Sequence, residues 1–316
     1  MSFGQNALGT TNIVIPIYNA ERHLDKLLPA LERQGLSPGQ FLIIDSSSTD
    51  ESPSRFVKFG ARLHVIPQSE FDHGGTRRLA ASLCADVDFL IYLTQDAVPV
   101  STEAFIRLLN VFQNPKVGVA YGRQLPRPEA RAIERHARLV NYPVQDSEVR
   151  TFEDRRRLGI KTVFSSDSFA AYRRSALEEV GGFPERAFFA EDQIVAAKML
   201  AAGWSTAYCA DAEVIHSHGY TIQQDLQRYF DVGVFHSRNH WILEMFGAAE
   251  GAGLKFIISE LRYLAAREPL SIPSAIARTF AKYLGYRLGR MEAQFSPALK
   301  SRLSMAPYYW KKANSP

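Results

Sequence analysis

Three polar strings interrupt apolar runs in the first third of the chain: Tyr18-Asn19, the stretch from Asp45 to Asp50, and Thr94-Gln95-Asp96. Two more follow later, Glu191-Asp192 and His216-Ser217-His218. Carboxylate oxygen and imidazole nitrogen are ligand types for a divalent cation, and a carboxylate aimed at a hydroxyl can accept its proton. A cation is useful where phosphate charge grows, as when a pyrophosphate leaves. Each string alone also suits an ordinary turn, because Asp, Asn and Ser bond locally to the backbone. Their recurrence at successive strand ends points to one shared face.

The string Phe71-Asp72-His73-Gly74-Gly75-Thr76-Arg77-Arg78 carries a different chemistry. Paired glycines before a helix let backbone N–H groups approach a phosphate, and the helix N-terminus favours anions. A guanidinium at Arg77 can add a bidentate contact. The same string serves equally well as a plain Gly-Gly turn feeding a helix. Likewise Asp192 suits a helix cap as well as a base, and the dipole at a helix start is expected to lower its pKa. His236 and His240, one helical turn apart, are read as packing or surface residues. Arg155-Arg156-Arg157 and the arginines within 131–138 read most simply as solvated charge, unless they line a ligand cleft.

The elements that must position these groups alternate between short β-rich runs and helical patterns, the mark of βα units around a mostly parallel sheet. Strands are predicted at 11–17, 41–44, 62–67, 89–93, 117–121, 168–172 and 214–215. Helices are predicted at 20–34, 76–84, 104–112, 175–180 and 192–202. Residues 123–165, rich in Arg, Glu and Pro, suit substrate-covering loops, with helix only around 129–140. From residue 222 onward the apolar spacing is helical throughout, over 223–245, 254–266 and 272–290. Ligands of open α/β sheets lie beyond the strand C-terminal ends, where the first three polar strings fall.

Apolar residues make up 46% and charged residues 22% of the 316, which excludes disorder. Cys84 and Cys209 are far apart, outside any zinc or disulfide pattern, so a reducing cytoplasm is expected. No stretch reaches the ~18 apolar residues of a membrane span, and no secretion signal opens the chain. The net charge of +4 hides an asymmetry: from residue 255 onward 11 Lys/Arg face 3 Asp/Glu, while residues 1–254 carry 26 against 30. Aromatic residues stand among the cations of the C-terminal helices (Trp241, Phe246, Phe256, Tyr263, Phe280 and Tyr283). This favours an anionic membrane face over nucleic acid, which is not expected as a partner. Packing of those aromatics against the rest of the chain or a second subunit is an equal alternative, and the oligomeric state stays open.

Ile13-Val14-Ile15-Pro16-Ile17-Tyr18-Asn19 followed by Ile43-Ile44-Asp45-Ser46-Ser47-Ser48-Thr49-Asp50 resembles the opening of family 2 glycosyltransferases of the GT-A fold. Their first strand ends in Pro-x-Tyr-Asn and their second in Val-Asp-Asp-Gly-Ser-x-Asp. Thr94-Gln95-Asp96 falls where relatives carry an Asp-x-Asp metal motif, and Asp96 is the acid that remains. Phe-Asp-His-Gly-Gly-Thr-Arg with Thr-Gln-Asp-Ala-x-Pro looks like the rhamnosyltransferase branch. Glu191-Asp192 matches the acceptor-side Glu-Asp pair whose Asp is the general base, and a His after the last strand touches metal or diphosphate, with His216 aligning better than His218.

The resemblance implies an α/β GT-A catalytic domain over 1–220, its nucleotide-sugar half at about 1–122 and its acceptor half at about 123–220, with a helical appendage at 221–316. It implies donor contacts from Pro16, Tyr18, Asn19, Asp45, Ser47, Gly74, Gly75, Arg77, Gln95 and Asp96. Mg2+ or Mn2+ would sit on Asp96 with His216 or His218, and Asp192 would act as base beside Glu191. The donor expected is dTDP-L-rhamnose, with a UDP- or GDP-sugar as the alternative. The acceptor would be a glycan, lipid-linked, at the inner face of the cytoplasmic membrane. A nucleotidyltransferase would show a Gly-rich, basic loop after the first strand, and Tyr18-Asn19-Ala20-Glu21 is not that. A non-catalytic nucleotide-sugar-binding protein is the remaining rival, since Thr94 replaces an acid.

Overall fold

The computed structural model describes residues 1–145, 147–249 and 251–312. Nine strands form one sheet: β1 (Thr11–Ile17), β2 (Phe41–Asp45), β3 (Arg62–Val65), β4 (Phe89–Leu93), β5 (Val98–Pro99), β6 (Val117–Leu125), β7 (Glu148–Arg150), β8 (Phe169–Arg173) and β9 (Ser205–Ile215). Their spatial order is β3-β2-β1-β4-β8-β6-β9-β5, with β7 added against β9. The pairs β3/β2, β2/β1 and β1/β4 are parallel; β8 runs antiparallel between β4 and β6; β6 and β9 are again parallel. The chain therefore leaves β1, β2, β4 and β9 at one edge, and because β8 is reversed, it enters β8 from that same edge.

Burial on both faces explains why β1 is almost wholly apolar. Ile13, Ile15 and Ile17 pack in one layer with Leu24, Leu27 and Leu31 of the helix Glu21–Glu32 and with Phe105 and Leu108 of Ala104–Asn110. Val14 packs in the other layer, with Ala80 of His73–Leu83 and Val195 and Met199 of Glu191–Ala201.

Each predicted strand is present, but β5, β7 and the helix Ser52–Phe59 stand where no element was predicted, and the clearest difference is at β9. The sequence signals only 214–215, yet the strand covers eleven residues. Ala207, Ala210 and Ala212 take three of its buried positions, among Thr206, Tyr208, Cys209 and Val214, and alanine carries no strand signature of its own. The helix expected over 223–245 is two, Ile222–Arg238 and His240–Phe246, broken at Asn239.

The C-terminal elements are helical, among them Ala252–Arg267 and Ile272–Arg290. Ile222–Arg238 and Ile272–Arg290 approach backbone to backbone: a Cβ at Gly285 would collide with the Leu226 carbonyl, and one at Gly289 with the Phe230 carbonyl. Phe246 is buried, and Trp241 and Tyr263 pack against apolar clusters, whereas Phe280 and Tyr283 are 66% and 58% exposed. Among the described residues, no helix is long and apolar enough to cross a membrane.

Candidate functional site

A cavity of about 830 Å3 opens at the functional edge of the sheet, and Thr94, Asp96, Asp167, Glu191, Asp192 and His216 all line it. Asp96 and Asp192, 96 positions apart in sequence, thus face the same hollow.

Asp96 follows β4, and His216 and His218 follow β9. His216 Nε2 lies 3.4 Å from Asp96 Oδ1, and His218 Nε2 lies 3.7 Å from Asp96 Oδ2. One ligand atom from each of the three falls within 4.8 Å of the others, as a cation site requires. His216 Nδ1 is 2.9 Å from Gln124 Oε1, whose amide nitrogen donates to Ser166 Oγ at 2.8 Å. An amide oxygen only accepts, so Nδ1 carries a proton, and the bond fixes the ring with its Nε2 facing Asp96. Burial works against ionising Asp96, but the hydrogen bond and charge of His216, with the charge of His218, hold its carboxyl well below the usual range. Burial, then His216, pushes His218 down to about 4. This donor set fits a divalent ion.

Asp192 sits in the first turn of Glu191–Ala201, but it is not the cap. That position is Ala190, in a left-handed conformation with φ 56°. Asp192 Oδ2 accepts from the Asp167 amide at 3.2 Å and Oδ1 from the Gln193 amide at 2.7 Å. A lowered pKa is expected at a helix start; the site reverses this. Burial, then the charges of Glu191 and Asp167, raise Asp192 well above the ordinary carboxylate range, outweighing Arg77. The result is a stronger base once ionised.

Arg77 explains how three carboxylates can crowd together. Its Nε is 2.8 Å from Asp167 Oδ2 and its Nη1 is 2.9 Å from Glu191 Oε1, all three side chains buried. The guanidinium expected to grip phosphate is engaged with these acids. Asp167 also accepts from the Tyr172 hydroxyl at 2.6 Å. Burial pushes Asp167 up to about 7, with Glu191 adding to the rise against Arg77 and Tyr172.

The Gly74-Gly75 pair is likewise placed otherwise than expected. The Gly74 amide donates to the Ala187 carbonyl at 2.9 Å and the Gly75 amide to Asp72 Oδ1 at 2.8 Å. A Cβ on Gly74 would stand 2.5 Å from the Pro184 carbonyl oxygen, and one on Gly75 2.9 Å from that of Glu185. The glycines are needed because the 184–187 segment lies on the helix start, and their N–H groups are already spent.

The remaining expected donor residues gather beside the cavity, at the ends of β1, β2 and β4. Pro16 pairs with Ile44 near the end of β1. Gln95 clamps the backbone of Tyr18, accepting from its amide at 2.8 Å and donating to its carbonyl at 3.2 Å. Asn19 accepts from the Thr49 amide at 2.9 Å, and Ser47 Oγ donates to the Ile66 carbonyl at 2.9 Å. Asp45 is buried and accepts from the Ser48 hydroxyl at 2.5 Å. Asn19 and Ser47 have φ of 48° and 60°, and with Ala190 they are the non-glycine residues of positive φ among those described. Such backbone costs roughly 1–3 kcal/mol per residue and concentrates where geometry serves function.

Sequence reasoning missed Asp167 and Gln124. It searched strand C-terminal ends, whereas Asp167 precedes the reversed strand β8, and Gln124 lies in the part of β6 taken for loop. The polar run Ser165-Ser166-Asp167-Ser168 was a visible signal. Among the basic residues, Arg138 lines the cavity, while Arg157 pairs with Glu148 at 2.5 Å and Arg156 with Glu153 at 3.2 Å outside it. His236 is a packing residue, 3.2 Å from the Tyr286 hydroxyl.

A largely parallel sheet with a carboxylate–imidazole ligand set and a separate raised carboxylate in one cavity defines a group-transfer enzyme of the GT-A architecture. Comparison with known proteins is specific. The profile of Glycosyl transferase family 2 matches residues 12–181. The O-antigen chain rhamnosyltransferase WbaN of Salmonella anatum is 44% identical over 299 residues, covering 94% of this chain and 95% of that protein. RfbN of Salmonella typhimurium, described in the same words, matches to the same extent. Among solved structures, the mannosyltransferase PcManGT from Pyrobaculum calidifontis, in complex with GDP-Man and Mn2+, aligns with a TM-score of 0.58 at 17% identity. That alignment covers 96% of this chain and 86% of that one, a likeness of fold. The chain belongs to glycosyl transferase family 2, and it is a glycosyltransferase.

Proposed function

We propose that the chain transfers L-rhamnose from dTDP-rhamnose, by a single inverting displacement, to a hydroxyl of a lipid-linked surface-polysaccharide precursor. The reading is carried by the convergence of Asp96, His216 and His218 with Asp192 on one cavity. The sugar and acceptor follow the names of the Salmonella relatives at 44% identity. Asp192 would accept the acceptor proton, while Arg77 and Asp167 hold it in place. A divalent cation on Asp96 and His216, joined by His218, would neutralise charge on the departing diphosphate. Imidazole nitrogen in that set suits Mn2+ better than Mg2+, which prefers oxygen. The strand-end loops carrying Pro16, Tyr18, Asn19, Asp45, Ser47 and Gln95 would frame the nucleoside.

The helical region beyond residue 220 is proposed as an appendage of the 1–220 catalytic domain that also rests on anionic lipid. Ile276, Phe280 and Tyr283 share an exposed face of Ile272–Arg290 at helical spacing, and Arg287 and Arg290 continue it. Binding to anionic but not neutral vesicles is the expected result of co-sedimentation. For the donor, a panel of dTDP-rhamnose, UDP-hexoses and GDP-hexoses with Mn2+ should show turnover with dTDP-rhamnose. Turnover of a UDP-hexose alone would overturn the assignment.

A further inference from the structure

The cavity is electrically lopsided. Asp96, Asp167, Glu191 and Asp192 come from the sheet edge and the start of Glu191–Ala201, while much of the remaining wall belongs to the helices Ala132–Asn141, Ile222–Arg238 and Ile272–Arg290. Acids on that helical wall are already matched. Glu134 is 3.4 Å from Arg127, and Asp225 is 2.6 Å from Arg278. Arg138, Arg228 and Lys282 line the same wall, one from each helix, and among the described residues none has a carboxylate within 4.0 Å.

Each of these cations is braced on an aromatic ring instead. The Arg138 guanidinium lies 5.7 Å from the Tyr142 centroid, that of Arg228 4.3 Å from Phe189, and Lys282 Nζ 5.7 Å from Tyr229. Contact with a ring face orients a cation without using its N–H donors. Arg228 and the proposed base Asp192 line the same cavity. Like charges lining one cavity repel, and a bound anion relieves that repulsion.

We propose that Arg138, Arg228 and Lys282 form a binding site for a phosphate or diphosphate group. The proposal rests on the glycosyltransfer reading, which supplies two sources: the diphosphate of the donor, and a diphosphate joining the acceptor glycan to its lipid. The fork of each arginine suits phosphate oxygens, and the lysine adds a mobile charge.

The existence of the site is tested by calorimetry without turnover, so its failure is distinct from failure of the transfer reading; only the choice between its two sources uses kinetics. Full-length protein is titrated with inorganic pyrophosphate in EDTA, then with dTDP in Mn2+. Wild type is compared with Arg138→Gln, Arg228→Gln, Lys282→Gln, the double variant Arg138→Gln/Arg228→Gln, and Arg156→Gln as a control outside the cavity. Wild type should bind pyrophosphate without metal, and each cavity variant should lose roughly ten-fold or more in affinity, the scale of one charge-assisted hydrogen bond. An equal loss for dTDP assigns the site to the donor. Unchanged dTDP affinity, with a matching rise in KM only for a diphosphate-bearing acceptor, assigns it to the acceptor. Where a Gln variant is less stable by thermal melt, the Lys exchange at Arg138 or Arg228 should restore binding to within a few-fold. No metal-independent binding by wild type, or an undiminished affinity in the double variant, overturns the proposal.

Discussion

Two carboxyl groups of one cavity are driven in opposite directions. Burial penalises the charge on both Asp96 and Asp192, yet Asp96 is held below the carboxylate range and Asp192 is raised above it. The difference lies in the neighbours. Asp96 faces two imidazoles, whereas Asp192 faces Glu191 and Asp167 with Arg77 to share among them. One corner therefore favours the anionic carboxylate, as the proposed cation site needs, and the other favours the protonated one, as the proposed base needs. Environments that push paired acids apart mark their division of labour.

The comparison breaks most sharply at the base. Asp192→Asn should lower transfer by ~100- to 10,000-fold while nucleotide affinity stays within a few-fold. Near-normal turnover would remove Asp192 from the mechanism. The acid limb of the kcat/KM profile should also lie above pH ~4, the position of an ordinary carboxylate. Glu191→Gln should move that limb downward, because it removes a neighbouring negative charge; an unmoved limb would count against the pairing.

At the other corner, Asp96→Ala should abolish the gain in dTDP affinity that Mn2+ provides. Gln124→Ala, which frees His216 to turn or change tautomer, should weaken Mn2+ binding by ~10- to 100-fold, read by electron paramagnetic resonance. Unchanged Mn2+ affinity would mean that the ring is held by other contacts.

A third test concerns stability. The folded pKa of Asp167, about 7, exceeds its unfolded value of ~3.9. The native state thus holds a proton that the unfolded chain has released between these two values. The stabilisation from this group is complete below pH ~3.9 and is lost as pH rises through about 7. Relative to Asp167→Asn, wild type should become less stable across that window, by up to about 1.4 kcal/mol per pH unit. A difference that grows in favour of wild type as pH rises would contradict the raised pKa.

The smallest effect is expected outside both corners. Gly74→Ala should cost about 1–3 kcal/mol by forcing a methyl against the Pro184 carbonyl, with dTDP affinity unchanged. A loss of dTDP affinity without loss of stability would restore the glycine pair as a phosphate cradle.

Much of the fold was legible because parallel strands buried on both sides must be written as unbroken apolar runs, as in Ile13–Ile17 and Phe89–Leu93. The polar strings that close those runs located Asp96 and the residues around Asp45. Less visible was β9, whose buried alanines lack branched side chains, and so the length of the strand leading to His216 was underestimated. Asp167 stayed hidden because its strand runs in reverse. Spacing pointed Arg77 at phosphate, because a guanidinium suits phosphate and carboxylate alike and nothing in the local sequence shows that Asp167 and Glu191 reach it.

By itself the amino-acid order determined the repeating βα units, the ligand types at strand ends and the helical nature of the last hundred residues, because these follow from local periodicity and side-chain chemistry. Tertiary structure alone decided which charges meet. It brought Arg77 to Asp167 and Glu191, set two imidazoles against Asp96, and placed Arg138, Arg228 and Lys282 along one wall. Electrostatic energy depends on separation and burial in space, and neither quantity is written in the spacing of residues along a chain.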